Sequence, residues 1–330
     1  MLDNLLINSL EFSHWVQSWA GGLAGFFRAF TFIGKPDFYI LVMPALIWMY
    51  DYRLGIRMGF LLVLGGWVND IFKLLFAAPR PYYVDPTLNT YGEVETAFGI
   101  PSGHAQLPAS IWGFFAVQLR RRWVTVAAIL LVFLIGFSRI ALGLHFTLDV
   151  LAGWALGLLV LWLFLKYEAP LAARLSALPT ARRLALVFAI TLAMILSSAL
   201  ARPGLRGFSV PEEWVANTQA IQPDEPINPD TLDDTLTYSG ALFGLAVGVT
   251  WLAGRGGFSA QGKPLQFVLR FVLGAAGALL IWRGLGAVFP GGENLLAYAL
   301  RYFRYALLGF WLAAGAPWLF IRLGWAGKAS

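Results

Sequence analysis

The twenty residues from Met58 to Ala77 read MGFLLVLGGWVNDIFKLLFA and decide the fold class. A helix needs about 20 predominantly apolar residues to cross the hydrocarbon core of a bilayer. This stretch has that length, and its polar side chains, Asn69, Asp70 and Lys73, lie in its second half. It therefore predicts a transmembrane helix that carries ionisable residues near one end.

The composition of the whole chain agrees with this prediction. Of its 330 residues, 58% are hydrophobic and 13% are charged, whereas soluble domains have roughly 45–50% and about 25%. The mean hydropathy is +0.67. These values exclude a water-soluble enzyme of ordinary surface composition and a disordered chain. The chain has no cysteine, which excludes a disulfide scaffold, a thiolate nucleophile and cysteine-ligated metal sites.

We expect an all-α polytopic membrane protein with about nine spans. Hydrophobic stretches of suitable length recur along the chain, although several are shorter than the ideal. In chain order they are Phe38–Tyr52, Met58–Ala77, Ala105–Leu119, Val124–Ala141, Thr147–Leu165, Leu184–Leu200, Tyr238–Ala253, Phe267–Phe289 and Leu295–Ile321.

The distribution of positive charge predicts the orientation. Cytoplasmic loops of membrane proteins carry an excess of lysine and arginine. If the first span runs inward, 14 of the 24 basic residues fall in cytoplasmic loops, including the cluster at 120–122. We therefore expect the N-terminus outside and the C-terminus in the cytoplasm. The net charge of +6 then reflects loop charge, and we expect the lipid bilayer, and no nucleic acid, as a partner.

The linear organisation has four parts. Residues 1–34 interleave Asn4, Glu11, His14 and Gln17 with Leu, Phe and Trp, which favours an amphipathic helix in the membrane interface. Residues 35–200 hold the first six spans. Residues 201–237 are rich in proline and acidic residues, which predicts an irregular external loop. Residues 238–330 hold three further C-terminal spans.

Three short segments gather most of the ionisable residues near span ends. They are Lys73 to Arg80-Pro81, Pro101-Ser102-Gly103-His104, and Ser138-Arg139 to His145 and Asp149. One such residue alone is usually a membrane anchor or a packed side chain. Because successive spans alternate in direction, all three segments are predicted to meet at the outer face, where they can form one site.

The residue types in these segments suit a phosphoryl group. Lys73, Arg80 and Arg139 supply positive charge, and the helix start at Ser102 and Gly103 supplies backbone donors. His145 and Asp149 are four residues apart, so the carboxylate can orient the imidazole. We therefore expect His145 as the nucleophile, Asp149 as its partner and His104 as the general acid. No metal or other cofactor is expected.

The three segments resemble the signatures KxxxxxxRP, PSGH and SRxxxxxHxxxD of the type 2 phosphatidic acid phosphatase superfamily. The resemblance implies a six-helix core, a phosphohistidine intermediate and metal-independent hydrolysis. It implies the same roles: His145 as nucleophile, His104 as acid, Asp149 as partner, and the remaining five residues as phosphate binders (Lys73, Arg80, Ser102, Gly103 and Arg139). The nine-span layout and Glu95-Thr96 before the second segment are similar to glucose-6-phosphatases.

These observations predict a metal-independent phosphoric monoester hydrolase, multi-pass in the cell membrane, whose site opens on the non-cytoplasmic side. The first substrate class is a lipid phosphate, either phosphatidate-like or a polyprenyl phosphate or diphosphate, because a lipid headgroup can reach the outer boundary laterally. The alternative is a sugar phosphate such as glucose 6-phosphate. A non-enzymatic lipid transporter or flippase is an alternative of another class, but no repeat typical of transporters is visible in the sequence. A vanadate-dependent haloperoxidase is disfavoured, because nothing in the motifs provides for halide chemistry.

Overall fold

The structure is a computed structural model that describes residues 2–223 and 227–329. Met1, residues 224–226 of the predicted external loop, and Ser330 lie outside the described residues. Within the described ranges the secondary structure is helical and no strand occurs. The prediction of an all-α protein is therefore confirmed.

Fifteen α-helices follow one another along the described residues. They are α1 (Leu2–Ala20), α2 (Ala24–Gly34), α3 (Pro36–Ala45), α4 (Tyr52–Phe76), α5 (Pro81–Val84), α6 (Gly103–Leu119), α7 (Arg122–Ala141), α8 (Thr147–Ser176), α9 (Thr180–Ala201), α10 (Glu212–Ile221), α11 (Asp233–Ala253), α12 (Pro264–Leu279), α13 (Leu285–Val288), α14 (Leu295–Phe310) and α15 (Ala316–Arg322). Wider π-helical turns continue α3, α12 and α14 through Leu46–Tyr50, Leu280–Gly284 and Trp311–Gly315.

Seven helical stretches in the described residues are long and apolar enough to cross a membrane. They are Tyr52–Val84, Arg122–Ala141, Thr147–Ser176, Thr180–Ala201, Asp233–Ala253, Pro264–Val288 and Leu295–Arg322. The other two predicted spans are also helical but shorter: α3 with its π-helical turn covers residues 36–50, and α6 has 17 residues. The count of nine spans stays a prediction.

The long helices expose apolar side chains, as a lipid-facing surface requires. Helix α8 shows this most clearly: five large apolar side chains on it are about half exposed or more, namely Leu148, Leu151, Leu158, Leu159 and Trp162. In water each exposed apolar group costs free energy in proportion to its area. In a bilayer that cost disappears, so this surface identifies an integral membrane protein.

The chain forms two compact units that are interleaved along the sequence. The first comprises Met1–Pro36, Val68–Leu163 and Ser198–Thr231, and the second comprises Asp37–Trp67, Phe164–Ser197 and Leu232–Ser330. The predicted division at residues 34, 200 and 237 is linear and describes the order of spans. It stays a prediction.

In the first unit the N-terminal segment packs against α7. Gly21–Leu23 form a short 3₁₀ turn that separates α1 from α2, so the predicted single helix is two helices. The rings of Trp19 and Phe27 lie 6.1 and 5.7 Å from the ring of Phe137 on α7. Thr31 on α2 is completely buried. The N-terminal segment thus contributes to the interior of this unit.

The segment predicted as an irregular external loop contains a ten-residue helix, α10. The Trp214 ring on α10 lies 5.7 Å from the Tyr83 ring, and Asn217 donates a hydrogen bond of 2.8 Å to the Tyr83 carbonyl. The prediction of irregular structure is wrong for these residues. The prediction relied on composition. Two acidic residues at the helix start and prolines on either side occur both in loops and at helix ends, so composition does not distinguish the two.

Three arginines of the second unit have partners for their charge or their donors. Arg57 forms an ion pair with Glu168, and Arg301 Nη1 lies 2.8 Å from Asp233 Oδ2. Arg270 is completely buried and donates to the carbonyls of Trp48, Ala260, Gln261 and Trp325. Helix α11 packs closely on α14 through Gly244, where an added methyl group would overlap the Ala306 carbonyl.

Candidate active site

The three sequence segments place their functional residues at helix ends within the first unit. Lys73 lies in the last turn of α4, and Arg139 lies in the last turn of α7. Arg80 precedes α5 in extended backbone, and Pro81 is the first residue of that helix, where proline needs no donor. His145 lies in the connection between α7 and α8, and Asp149 lies in the first turn of α8. Each of these side chains therefore lies in the end turn of a helix or within two residues of a helix start.

The His145 and Asp149 side chains form a hydrogen-bonded pair. The His145 Nδ1 atom lies 3.1 Å from Asp149 Oδ2, and the same oxygen accepts the backbone N–H of Phe146 at 3.0 Å. His145 is completely buried and Asp149 almost so. The backbone bond shows that Oδ2 is an acceptor, so the Nδ1 atom of His145 carries the proton. The two side chains thus lie within hydrogen-bond distance, and the catalytic roles assigned to them stay a prediction.

Arg80 contacts the other nitrogen of the same imidazole. Arg80 Nη1 lies 3.0 Å from His145 Nε2, and its other donors reach the carbonyls of Ala97, Phe98 and Leu144. Because a guanidinium has donors only, Nε2 accepts this hydrogen bond. His145 is therefore held as the neutral tautomer with its lone pair on Nε2.

The environment of His145 favours this neutral form. Burial lowers the pKa of the His145 imidazole well below its usual range. The neighbouring cations Arg80, Arg139 and Lys73 also lower this pKa, whereas the Glu95 carboxylate raises it. A neutral imidazole whose Nε2 carries no proton is the form that can act as a nucleophile, once the Arg80 donor on Nε2 turns to the phosphate.

Lys73 and Arg139 complete a buried cluster of cations. Lys73 Nζ donates to the Phe98 carbonyl at 2.6 Å, the same oxygen that Arg80 Nη2 contacts at 3.3 Å. Arg139 is completely buried, and its Nη1 donates to Thr31 Oγ1 at 2.9 Å. In a low-dielectric site, fixed cations of this kind act strongly on an anion.

The second segment begins α6 beside this cluster. Ser102 is the N-cap of α6, and its backbone N–H donates to the Asp149 carbonyl at 2.9 Å. Asn69 donates to the Pro101 carbonyl and to the Gln106 side chain. Two buried polar atoms here have no hydrogen-bond partner among the described residues: Ser102 Oγ and His104 Nε2. Buried polar atoms seldom lack a partner, so these two are available to a ligand.

Two glycines on α8 allow this close approach of α6. A methyl group at Gly153 would lie 2.6 Å from the Ser102 carbonyl oxygen, and one at Gly157 would lie 2.5 Å from that of Gln106. Both distances are shorter than a carbon–oxygen contact allows. The glycine pair therefore sets the distance between the helix that carries Asp149 and the helix start that carries His104.

Glu95 is the residue that sequence reasoning missed. Its Oε1 forms an ion pair with Arg139 and lies 3.6 Å from His104 Nδ1, and its Oε2 lies 2.6 Å from Arg80 Nη2 and 3.9 Å from His145 Nε2. Burial alone would raise the pKa of this carboxyl, but Arg139 and Arg80 outweigh burial and hold it well below its usual range. The sequence drew attention to it only through its position nine residues before His104 and through the similarity of Glu95-Thr96 to glucose-6-phosphatases, and neither signal gave it a role in the site.

Comparison with known families identifies the fold around this site. The PAP2 superfamily model matches residues 54–172, a range that contains all three segments. A second model, the PAP2 superfamily phosphatase transmembrane extension, matches residues 236–328. The chain belongs to the PAP2 superfamily. The resemblance drawn from the three segments is confirmed, and the C-terminal spans of this PAP2 protein correspond to a known extension of the family.

Curated relatives of this PAP2 protein fall into two groups. The chain is 30% identical to lipid phosphate phosphatase delta of Arabidopsis thaliana over 159 residues, which are 44% of this chain and 38% of that protein. It is 30% identical to undecaprenyl-diphosphatase of Sulfolobus acidocaldarius over 124 residues, 37% of this chain and 59% of that protein. These alignments thus span less than two thirds of either relative.

Glucose-6-phosphatase 3 of Bos taurus represents the second group of relatives. It is 24% identical over 320 residues, which cover 88% of this chain and 87% of that protein. This alignment includes the C-terminal extension, whereas the two alignments above cover less than half of the chain. No solved structure matches the chain.

Proposed function

We propose that this protein is an integral membrane phosphatase that hydrolyses a lipid phosphate through a phosphohistidine intermediate on His145. The observation that carries the proposal is the pair of contacts made by the His145 ring: Nδ1 lies 3.1 Å from Asp149 Oδ2, and Nε2 lies 3.0 Å from Arg80 Nη1. Membership of the PAP2 superfamily supports the same conclusion.

In the first step His145 Nε2 attacks phosphorus and the bond to the ester oxygen breaks. Asp149 accepts a hydrogen bond from Nδ1–H throughout, while the proton stays on the ring, and its charge stabilises the positive charge that develops on the imidazole. His104 protonates the departing oxygen. Its Nδ1 faces Glu95, whereas its Nε2 has no partner in the described part of the chain, so Nε2 is the atom that reaches the leaving group.

In the second step a water molecule attacks phosphorus and the phosphorus–nitrogen bond breaks. His104, now neutral, takes the proton from water, and the lone pair returns to His145 Nε2. Inorganic phosphate leaves and the site is restored. In both steps Lys73, Arg80, Arg139 and the amides at the start of α6 stabilise charge on the non-bridging oxygens.

A lipid phosphate is the first substrate class. The reason is that relatives named as lipid phosphate phosphatase, undecaprenyl-diphosphatase and phosphatidylglycerophosphatase B align with part of this chain. A sugar phosphate is the second candidate. It is favoured by one observation: two alignments with glucose-6-phosphatases cover 88% and 87% of this chain and so reach into the C-terminal extension.

We also propose that the site opens on the non-cytoplasmic face of the cell membrane. The support is the distribution of charge along the sequence. The turn between α6 and α7 consists of Arg120 and Arg121, and α7 begins at Arg122. These three residues lie at the ends of the two helices opposite to His104 and Arg139. Under the positive-inside rule this turn is cytoplasmic, and the site is then external.

The test is phosphate release by the purified full chain with a chelator present. The substrates are phosphatidic acid, phosphatidylglycerol phosphate, undecaprenyl diphosphate, sphingosine phosphate and glucose 6-phosphate. We expect the highest kcat/KM with a lipid substrate. Preference for glucose 6-phosphate would establish the second candidate, and loss of activity with the chelator would contradict the metal-free mechanism.

The matched variants are His145→Asn and His14→Asn. His14 also pairs with a carboxylate, Asp85, at 2.8 Å but lies outside the three segments. We expect activity and acid-labile labelling from a ³²P substrate to disappear in the first variant only. No release from any substrate would favour the transporter alternative, and full activity of His145→Asn would refute the nucleophile.

A further inference from the structure

The Glu95 carboxylate lies among the groups that the proposed function assigns to phosphate. Each carboxylate oxygen has one arginine and one histidine beside it: Oε1 has Arg139 and His104, and Oε2 has Arg80 and His145. Phosphate is recognised by the same geometry, paired oxygens that face guanidinium donors.

The distance between Glu95 and His145 shows that a reacting phosphoryl group would overlap the Glu95 carboxylate. A nucleophile in position to react lies about 3–3.5 Å from the atom that it attacks. Glu95 Oε2 lies 3.9 Å from His145 Nε2 and is bridged to it by the Arg80 guanidinium. A phosphoryl group aligned for attack therefore needs the space and the hydrogen-bond donors that Glu95 now uses.

The backbone of Glu95 is fixed, whereas its side chain is not enclosed. The hydroxyl groups of Tyr82 and Tyr83 donate to the Glu95 carbonyl at 3.0 and 2.8 Å, and the Glu95 N–H donates to the Tyr82 hydroxyl at 2.8 Å. The Glu95 side chain is 28% exposed, and those of Arg80 and Arg139 are 0% exposed. Rotation of the side chain can thus move the carboxylate out while the loop stays in place.

We propose that Glu95 is a resident anion of the phosphate site, and that it sets the affinity of the site for phosphate groups by occupying it when no substrate is bound. This proposal rests on the proposed function. The carboxylate must leave the two arginines before any phosphate ligand binds, and the cost of that step is the same for a phosphomonoester dianion and for a monoanionic phosphodiester. Glu95 therefore weakens the binding of every phosphate ligand by a similar factor, and it speeds release of the product phosphate.

The variant that tests this proposal is Glu95→Gln, with Glu93→Gln as its matched control. Glu93 lies in the same loop, and its nearest cation is Lys35 at 3.2 Å; it lies 3.9 Å from Arg139. Both variants change the net charge equally. We expect the inhibition constant of inorganic phosphate to fall about tenfold in Glu95→Gln and to change less than about twofold in Glu93→Gln.

Two further measurements separate this role from a structural one. We expect KM to fall with the inhibition constant, and inhibition by dimethyl phosphate, a monoanion, to strengthen by a similar factor, because every anion has to displace the same carboxylate. If Glu95 only orients the arginines, its loss raises KM and weakens phosphate binding, which would overturn the proposal. An unchanged inhibition constant would overturn it as well.

Glu95→Asp covers the case in which the glutamine variant does not fold. It keeps the charge but is one methylene shorter, so it loses the simultaneous contact with both arginines, and we expect a smaller fall of the same sign. Thermal stabilisation by inorganic phosphate reports binding without turnover. If no substrate is hydrolysed but phosphate binds more tightly to the variants, only the proposed function fails; if hydrolysis persists with unchanged phosphate binding, only this proposal fails.

Discussion

Replacement of Asp149 by asparagine tests the catalytic pair most directly. The carboxylate accepts from His145 Nδ1 at 3.1 Å and from the Phe146 N–H at 3.0 Å. Asparagine has the same shape and keeps one acceptor oxygen. The backbone carbonyl of residue 149, which accepts from the Ser102 N–H at 2.9 Å, is unaffected. The substitution therefore changes the charge beside the imidazole while the helix contacts remain.

The expected loss can be bounded from these contacts. A hydrogen bond to a charged group contributes about 1.5–3 kcal/mol, which at about 1.4 kcal/mol per factor of ten lowers kcat about 10- to 100-fold. Asparagine can also turn its NH₂ group toward Nδ1, which selects the tautomer with a proton on Nε2 and blocks attack. In the serine protease triad the corresponding change costs about 10⁴. We expect a fall in kcat between about 10-fold and 10⁴-fold.

The assay is steady-state hydrolysis of the best substrate, with rapid-quench measurement of the phosphoenzyme. KM should stay within about threefold, because the cations that bind phosphate are intact. Asp85→Asn is the matched control, since Asp85 pairs with His14 outside the site. A kcat within threefold of the wild type, or a raised KM at unchanged kcat, would show that Asp149 does not orient the nucleophile.

Three further predictions follow from the site and its supports. The fall of kcat/KM at acidic pH should have its midpoint below pH 6.5, because burial and Arg80 lower the pKa of His145 and its neutral form persists to lower pH. A midpoint above pH 6.5 would contradict this lowering of the pKa. Gly157→Ala should destabilise the protein by about 1–3 kcal/mol and lower its melting temperature, whereas Gly25→Ala, where an added methyl meets no atom within 4 Å, should not; equal effects would refute the packing explanation. Thr31→Val removes an acceptor of the site arginine and should raise KM roughly tenfold at similar kcat, measured against the wild type; an unchanged KM would show that this contact is dispensable.

Most of the helices could be predicted from hydrophobic stretches, but their ends could not. Helix α8 continues to Ser176, eleven residues beyond the predicted end at Leu165, because its last turns are polar and a search for apolar runs stops too early. Helix α11 begins at Asp233, five residues before the predicted start, since acidic residues at a helix start favour the helix dipole but lower the hydropathy. The thickness of the bilayer sets the length of the apolar part of a helix, but it does not determine where the polar ends of the helix begin and stop.

The eight predicted site residues meet because each is tied to a helix end and the spans alternate in direction. Glu95 and Thr31 could not be found in this way. Glu95 lies in a loop without periodicity, and Thr31 lies on a helix predicted to lie in the interface. Their contacts with Arg139 depend on how the loop and α2 pack against α7, which no spacing in the sequence expresses. Residue type and order predict chemistry within a segment, whereas a carboxylate placed by tertiary packing becomes visible only in the structure.

The same carboxylate connects folding with function. Arg80 and Arg139 are completely buried, and an uncompensated buried charge costs several kcal/mol. Glu95 offsets that cost while no other anion is present. Stability and affinity therefore oppose each other at residue 95: a variant that binds phosphate more tightly must be less stable without phosphate. Glu95→Gln should accordingly melt at a lower temperature than the wild type in phosphate-free buffer and gain more from added phosphate.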